Sequence, residues 1–442
     1  MPDETPECND VPVTATSRPR MMINTISLAS STIITSGLGV LFWALAARMY
    51  EPSDVGLANA QISGATLAAA FASLNLLNFL LLHLLRAGKK TRWLLGRSYG
   101  ISILLSVIVA VVIAFTPLQS NFMPDTFSII VFIVAVPALA VFVQQDAALL
   151  AMGAGPAVAV ENSIFAVLKI ALLPLFAAVA TSSGIFASWI VATVVCVLGV
   201  SVYISRRLIE PHSQMPDSVE LPPRRELLPQ AGKLYWAFLA GQALNLAMPL
   251  IIVHRLGTTA GGYFTMPWLV FVSVGALLTA INQSFQQDVK RGHPITKPGL
   301  TRYLGLQAAV GIGGGIAIIV LAPLIMRILA PGYAEYSVTL LRIIGLCAPF
   351  EALWFVLYAF LFLENRVGWI AAGGTVAAGI SLVMAWLLAP SVGIDAAGWG
   401  LLAGSGVMAI VAVVPLIRRF RHVRAGYGAD WSDPEIQAPL YR

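Results

Sequence analysis

The sequence predicts an all-α polytopic membrane protein with twelve transmembrane helices in two pseudo-symmetric six-helix lobes. Three observations carry that expectation. Of the 442 residues, 58% are hydrophobic and 11% charged, with a mean hydropathy of +0.82; in a soluble protein about a quarter would be charged. Twelve apolar runs of about the 20 residues that a span requires can be drawn along the chain. With those runs in place, the lysines and arginines fall on one side of the membrane.

Residues 1–22 are polar, carry Arg18 and Arg20, and lack the apolar core and small-residue cleavage site of a signal peptide, so the first span is expected to insert the chain. The N-lobe, 23–205, holds runs at 23–48, 57–83, 98–117, 127–152, 155–180 and 184–205. A polar, proline-containing cytoplasmic linker, 206–232, leads to the C-lobe, 233–417. Its runs lie at 233–254, 260–284, 301–328, 336–362, 366–389 and 396–417, and a basic tail, 418–442, closes the chain.

Twelve spans return the C-terminus to the side of the N-terminus. If both ends are cytoplasmic, 22 of the 27 basic residues lie inside, in clusters such as Arg86, Lys89, Lys90, Arg92 and Arg97, or Lys290, Arg291, Lys297 and Arg302. Three more, Arg48, Arg255 and Arg327, sit at outer helix ends, and Lys169 and Arg342 lie within spans. This is the asymmetry of the positive-inside rule, and it accounts for the net charge of +6 without an acidic partner. Cys8, Cys196 and Cys347 have neither disulfide nor zinc-ligand spacing, and neither a cofactor nor a metal is expected.

The halves repeat in pattern, which places a substrate site at the midplane between lobes. The first opening helix ends in ARMYEPSDVG and the second in HRLGTTAGGYF, so Arg48 and Arg255 occupy comparable places and are substrate-binding candidates. Prolines within spans (Pro137, Pro174, Pro249, Pro267, Pro323, Pro349) and the glycines of 311–315 supply joints for a rocking transporter.

The stretch 144–169 concentrates the chemistry. A short turn at 152–156 makes the fourth and fifth spans an antiparallel hairpin, with Asp146 about six residues before it and Glu161 about five after, both about 8 Å deep at 1.5 Å per residue. Two carboxylates at one depth can share a proton, so both are ion-coupling candidates. Lys169 follows Glu161 by eight residues on the same face, about 12 Å deeper and close to the midplane. A charge there costs about 2.5 to 3.5 kcal/mol even on insertion scales, so it faces a cavity or a partner. Lys169 is therefore expected to anchor an anionic substrate, unless a neighbouring carboxylate neutralises it and it serves packing alone. Arg342 and Glu351 in the tenth span form a weaker counterpart, as substrate-binding and ion-coupling candidates. His83 and His254 read as interfacial residues, and the tail motif RRFRHVR as an orientation signal touching anionic lipid. Phosphate-loop, HExxH and nucleophile-elbow motifs are absent, so no enzyme and no catalytic residues are expected, nor a nucleic-acid partner.

Three stretches bring a family into view: LGVLFWALAARMYEPSDVGLANAQIS (38–63), FAVLKIALL in the fifth span, and ILAPGYAEYSVTLLRIIGLCAPFEAL (328–353). Together they resemble the polysaccharide-transporter branch of the multidrug/oligosaccharidyl-lipid/polysaccharide (MOP) exporter superfamily, over residues 23–417. The resemblance implies a MOP-type flippase of the bacterial plasma membrane that moves polyprenyl-diphosphate-linked oligosaccharides to the outer leaflet through a cationic central cavity. It implies membrane lipids and glycan polymerase or ligase proteins as further partners. The matched positions are Arg48, Gly56, Lys169, Tyr333 and Arg342. The chain departs from the family where the second span runs NLLNFLLLHLLRAG and at QQD, 286–288. The rival expectation is a proton- or sodium-coupled exporter of small cationic drugs on the same fold, whose site is acidic and aromatic; a non-transporting scaffold and a general facilitator rank below it.

Overall fold

The computed structural model describes residues 37–74, 76–116, 122–179, 183–214, 224–290 and 294–425. Arg18, Arg20, Arg291 and Arg442 of the expected basic clusters lie outside them, as do Cys8 and 23–36 of the first span. Among the described residues there are thirteen helices and no strand. They are α1 (Gly37–Met49), α2 (Pro52–Ala72), α3 (Leu76–His83), α4 (Thr91–Ala114), α5 (Thr126–Ala151), α6 (Gly155–Val179) and α7 (Gly184–Tyr203) in the first half. The second half holds α8 (Arg224–Leu256), α9 (Thr258–Lys290), α10 (Lys297–Leu329), α11 (Ala334–Leu363), α12 (Val367–Val392) and α13 (Asp395–Ala425).

Eleven of the described stretches are long and apolar enough to cross a membrane. They correspond to the second through twelfth expected spans, and α1 is the described part of the first. The protein is a multi-pass membrane protein. Its surface agrees, since large apolar side chains such as Leu104, Val112, Val320, Leu387 and Ile410 are more than half exposed along the helices, where lipid would cover them.

Several helices outrun the apolar runs that announced them. The segment EPSDVG precedes the second apolar run, yet from Pro52 on it is the first turn of α2, with Glu51 at the N-cap and Asp54 in that turn. Proline early in a helix costs no hydrogen bond and an acid there meets the positive end of the helix dipole, which is why the helix starts before the hydrophobic run does. At the other end α13 runs through Arg418, Arg419 and Arg421 to Ala425, so the basic motif belongs to the last helix rather than to a separate tail. Apolar runs measure the hydrocarbon layer, whereas helices continue into the headgroup layer.

In the N-lobe α4 packs on α5, α5 on α7 and α6 on α7; in the C-lobe α12 packs on α13 and α8, and α11 on α13, α9 and α10. The lobes meet chiefly through α2, which lies along α9 and α8. Two prolines (Pro137, Pro174) sit inside N-lobe helices, and α10 widens into a π-helical segment at Ala309–Gly314. There Gly311 and Gly315 lie against Ala352, Ala348 and Gly345 of α11, a close approach that small residues permit.

The hydrophobic core divides unevenly between the two membrane faces. At the basic face, where the Lys- and Arg-rich loops lie, each lobe has its own cluster, around Leu80, Leu149 and Ile204 in one and Val289, Tyr303 and Phe360 in the other. At the opposite face one cluster joins both lobes, with Phe42, Val55 and Phe186 beside Met266, Met326 and Tyr333. The lobes thus share a core at the far face, and toward the basic ends of α2 and α8 the Tyr235 hydroxyl donates to the Phe71 carbonyl (2.7 Å).

Candidate functional site

The turn at 152–154 between α5 and α6 is short because Gly153 takes φ +74°, a left-handed conformation that a Cβ would strain. The hairpin brings Asp146 and Glu161 close enough for their charges to interact. Glu161 is 3% exposed, and neither of its carboxylate oxygens has a hydrogen-bond partner among the described residues. Tyr99 of α4 and Cys196 of α7 lie within its electrostatic reach, and the Tyr99 hydroxyl is likewise buried without a partner. On either side, Gln145 donates to the Ser201 hydroxyl (2.8 Å) and the Val197 carbonyl (2.9 Å), and Gln144 donates to Ser102. Buried polar groups are ordinarily satisfied, so the unpartnered oxygens of Glu161 and of Asp146 (Oδ1) are the feature of this hairpin that packing does not account for.

Lys169 lies on α6 beyond this pair, 4% exposed. Its Nζ rests 3.9 Å from the centroid of the Trp189 ring, 4.7 Å from Phe165 and 5.2 Å from Phe42. The rings support one another edge to face, Trp189 with Phe42 at 5.3 Å and with Phe165 at 5.5 Å. No carboxylate among the described residues forms an ion pair with Lys169. Among the described residues the neutralising acid that would make it a packing residue is not there. The charge instead meets the negative faces of three rings, each worth about 2 kcal/mol when desolvated. The expected open cavity wall is replaced by a closed aromatic box of α1, α6 and α7.

The C-lobe handles its mid-span charge differently. A cavity of about 410 Å³ opens among α8, α9, α11, α12 and α13, and Glu351 lines it with Gln242, Asn245, Thr279, Trp354 and Tyr358. No lysine or arginine lines it among the described residues. One carboxylate, two carboxamides and several rings suit a cation, and the volume lies within the range of small-molecule sites.

At the far face the expected substrate arginines take other partners. Arg48 donates to the Ile328 carbonyl at the end of α10 (2.6 Å), a cation satisfying an orphan carbonyl across the lobe junction. Arg255 lies over the Trp386 ring at 4.8 Å, with His254 stacked on the same ring. Arg342 is exposed on α11. Around Arg48 the junction is tight. A Cβ on Gly56 would run into the Thr258 carbonyl oxygen, and one on Gly262 into that of Pro52. The two segments that sequence pairs as repeats, following each opening helix, are therefore in contact with each other. Asn59 donates to Thr265 across the same junction (3.0 Å), and Tyr333 meets Tyr263 edge to face. Neither Arg48 nor Arg255 shares a pocket with Lys169; structure brings Asp146 and Glu161 together and leaves the rest apart.

Two helical lobes that meet through α2 and α9 can be compared with solved folds. The chain resembles a lipid II flippase, MurJ, in an inward closed conformation, with a TM-score of 0.64 at 12% identity over 91% of this chain and 90% of that one. It also resembles an inward-facing multidrug resistance MATE family transporter of the MOP superfamily, with a TM-score of 0.57 at 14% identity over 91% and 99% of the two chains. The chain has the fold of the MOP-superfamily transporters. No family model and no curated protein matches the sequence.

Within that MOP fold the residues that sequence reasoning missed are those completed by other helices. Phe165, one turn before Lys169, is a local signal for the box; Phe42 and Trp189 come from α1 and α7 and leave none. Glu364 was also overlooked. At 3% exposure it accepts from both Nε and Nη2 of Arg419, with Arg366 Nε 3.6 Å away. Arg419, read as part of an orientation signal, is thus a buried partner that ties α13 to the turn between α11 and α12, where Asn365 takes φ +56°.

Proposed function

We propose that this protein is a flippase of the bacterial plasma membrane that carries polyprenyl-diphosphate-linked glycan precursors from the inner to the outer leaflet by alternating access, with its basic face and both termini in the cytoplasm. The observation that carries the reading is Lys169, a mid-span cation with no acid paired to it among the described residues. A diphosphate crossing hydrocarbon needs a cation, and one held by ring faces rather than by a carboxylate can exchange partners without first breaking an ion pair. The two-lobed fold supports the route: the lobes share a core at the far face, where release would have to part Gly56 from Gly262. In this scheme Asp146, Glu161 and Glu351 hold the coupling proton or cation, and glycan polymerase or ligase proteins receive the product. The test is flipping of a labelled polyprenyl-diphosphate glycan in reconstituted vesicles. Lys169→Ala is expected to lower the rate at least tenfold, with Lys169→Arg retaining part of it; unchanged flipping in Lys169→Ala sinks the reading.

A second reading rests on its own observation, the C-lobe cavity in which Glu351 and Trp354 stand without a basic neighbour. It supports a cation-coupled exporter of organic cations. Efflux of a fluorescent cation that is abolished by Glu351→Gln and untouched by Lys169→Ala decides for it.

A further inference from the structure

The interior of the N-lobe near its basic face is short of hydrogen-bond donors. Five oxygens there have no partner: Oε1 of Gln144, Oε1 of Gln145, Oδ1 of Asp146 and both carboxylate oxygens of Glu161. The two carboxamides have one orientation, because each aims its nitrogen at a backbone carbonyl, Gln144 at Ala140 (3.2 Å) and Gln145 at Val197 (2.9 Å), and only the Nε2 end can donate. Both glutamines are 0% exposed and Glu161 is 3% exposed. Orphan oxygens are uncommon in a folded interior, and five in one region call for a common cause.

They stand at one level and on the seams around one residue. At 1.5 Å per residue, Gln144 to Asp146 lie about 9 to 12 Å below the turn at 152–154, and Glu161 about 10 Å below it. Gln144 donates to Ser102 of α4, one turn beyond Tyr99, and Gln145 holds Val197 of α7, next to Cys196. Tyr99, Cys196 and Asp146 each lie within the electrostatic reach of Glu161, so the carboxamides flank it on the α4–α5 and α5–α7 seams. Among the described residues neither acid forms an ion pair, and no three His, Cys, Asp or Glu side chains converge as a zinc-type site requires. The available ligands are oxygens.

We propose that this part of the N-lobe binds one hard divalent cation of the calcium type between Asp146 and Glu161, its shell completed by the Gln144 and Gln145 oxygens and water. The inference rests on the reading above in taking the two acids as a cation site, and it names the cation. Charge decides the choice. A single proton or sodium ion shared by two carboxylates leaves one negative charge in a site that packing has closed to water, and an uncompensated buried charge is strongly destabilising; a divalent ion neutralises both. Calcium takes about six to eight oxygens in irregular geometry, bidentate carboxylates and carboxamides among them, whereas magnesium demands an octahedron and keeps its waters. Because Gln144 is already held to α4 and Gln145 to α7, an ion joining them to Glu161 of α6 ties the basic ends of four helices into one body.

The experiment is calorimetric titration of calcium chloride into purified full-length protein stripped with a chelator, at neutral pH and constant ionic strength, with thermal unfolding followed in parallel. One calcium ion per chain is expected, held about tenfold more tightly than magnesium and about a hundredfold more tightly than sodium, with a saturable rise in Tm. Glu161→Gln and Asp146→Asn keep side-chain shape and remove one charge each; they are expected to weaken binding about a hundredfold and about tenfold. Absence of saturable binding, sodium that matches calcium, or calcium binding that survives Glu161→Gln overturns the proposal. Should Glu161→Gln not fold, Asp146→Asn, at a partly exposed position, carries the same test. No step requires transport: calcium bound by a protein whose Lys169→Ala variant flips normally leaves this site standing while the flippase reading falls, and the reverse pair of results removes the site alone.

Discussion

Each lobe carries one ionisable side chain near mid-span, and the two lobes treat it in opposite ways. Lys169 is walled by three aromatic rings, whereas Glu351 faces a cavity of about 410 Å³ among carboxamides and hydroxyls. The difference is one of local dielectric. A boxed charge has given up water and received only quadrupoles in return, so it stores free energy that a ligand of opposite charge can release. A charge that lines a cavity of that size has room beside it for water or a counter-ion. The N-lobe reads as strained for a partner, the C-lobe as poised to hold a small guest.

A third buried charge calibrates the comparison from the satisfied side. Glu364 and Arg419 form a bidentate pair, 3% and 8% exposed. Glu364→Ala strands Arg419 and is expected to lower stability by about 3 to 5 kcal/mol, the largest effect foreseen here. Replacing both by leucine restores most of that loss. Denaturant unfolding of the three proteins checks it; equal stability of Glu364→Ala and wild type means that the pair is open to water.

The lobe junction comes next. Gly262→Val places methyl groups where the Pro52 carbonyl already lies, and overpacking of this kind costs about 1 to 3 kcal/mol. Because the strain exists only while the far face is closed, the variant shifts the population toward an open far face. A cysteine introduced at Thr265 then labels faster from that side; unaltered labelling shows that the junction yields locally.

Lys169→Met reverses the sign. Methionine fills the box and keeps contact with the rings through its sulfur, while the uncompensated charge is gone. Stability is expected to rise by about 1 to 2 kcal/mol, as when buried ionic groups give way to apolar ones, while transport of an anionic substrate is lost. A fall in stability instead makes the lysine a net packing residue held by its rings.

How much of this was legible in the sequence follows from the range of each signal. Hydropathy and basic asymmetry are properties of whole segments, so the spans and the pairing of the 50–57 and 257–264 segments could be read directly. The Asp146–Glu161 approach was legible because a five-residue stretch fixes it. The aromatic box, the cavity around Glu351 and the Glu364–Arg419 pair each draw on helices separated by dozens of residues, and a residue type at position 42 or 419 carries no record of which helix it will face. Arg48 illustrates the reverse error: its position at a helix end was right, but its partner is the Ile328 carbonyl of the other lobe.

The smallest expected effect is the sharpest test of the contrast. Glu351→Gln keeps the shape of the side chain and removes its charge. If the cavity solvates that charge, the charged and neutral forms cost nearly the same to bury, and stability should stay within about 0.5 kcal/mol of wild type. The functional consequence is not small, because a carboxamide cannot compensate a bound cation; stabilisation of the protein by added sodium or by an organic cation should disappear, which a thermal-shift titration measures. A rise in stability comparable to that of Lys169→Met would place Glu351 in the same class as the boxed lysine, and the two lobes would then differ in the sign of the buried charge but not in how it is held.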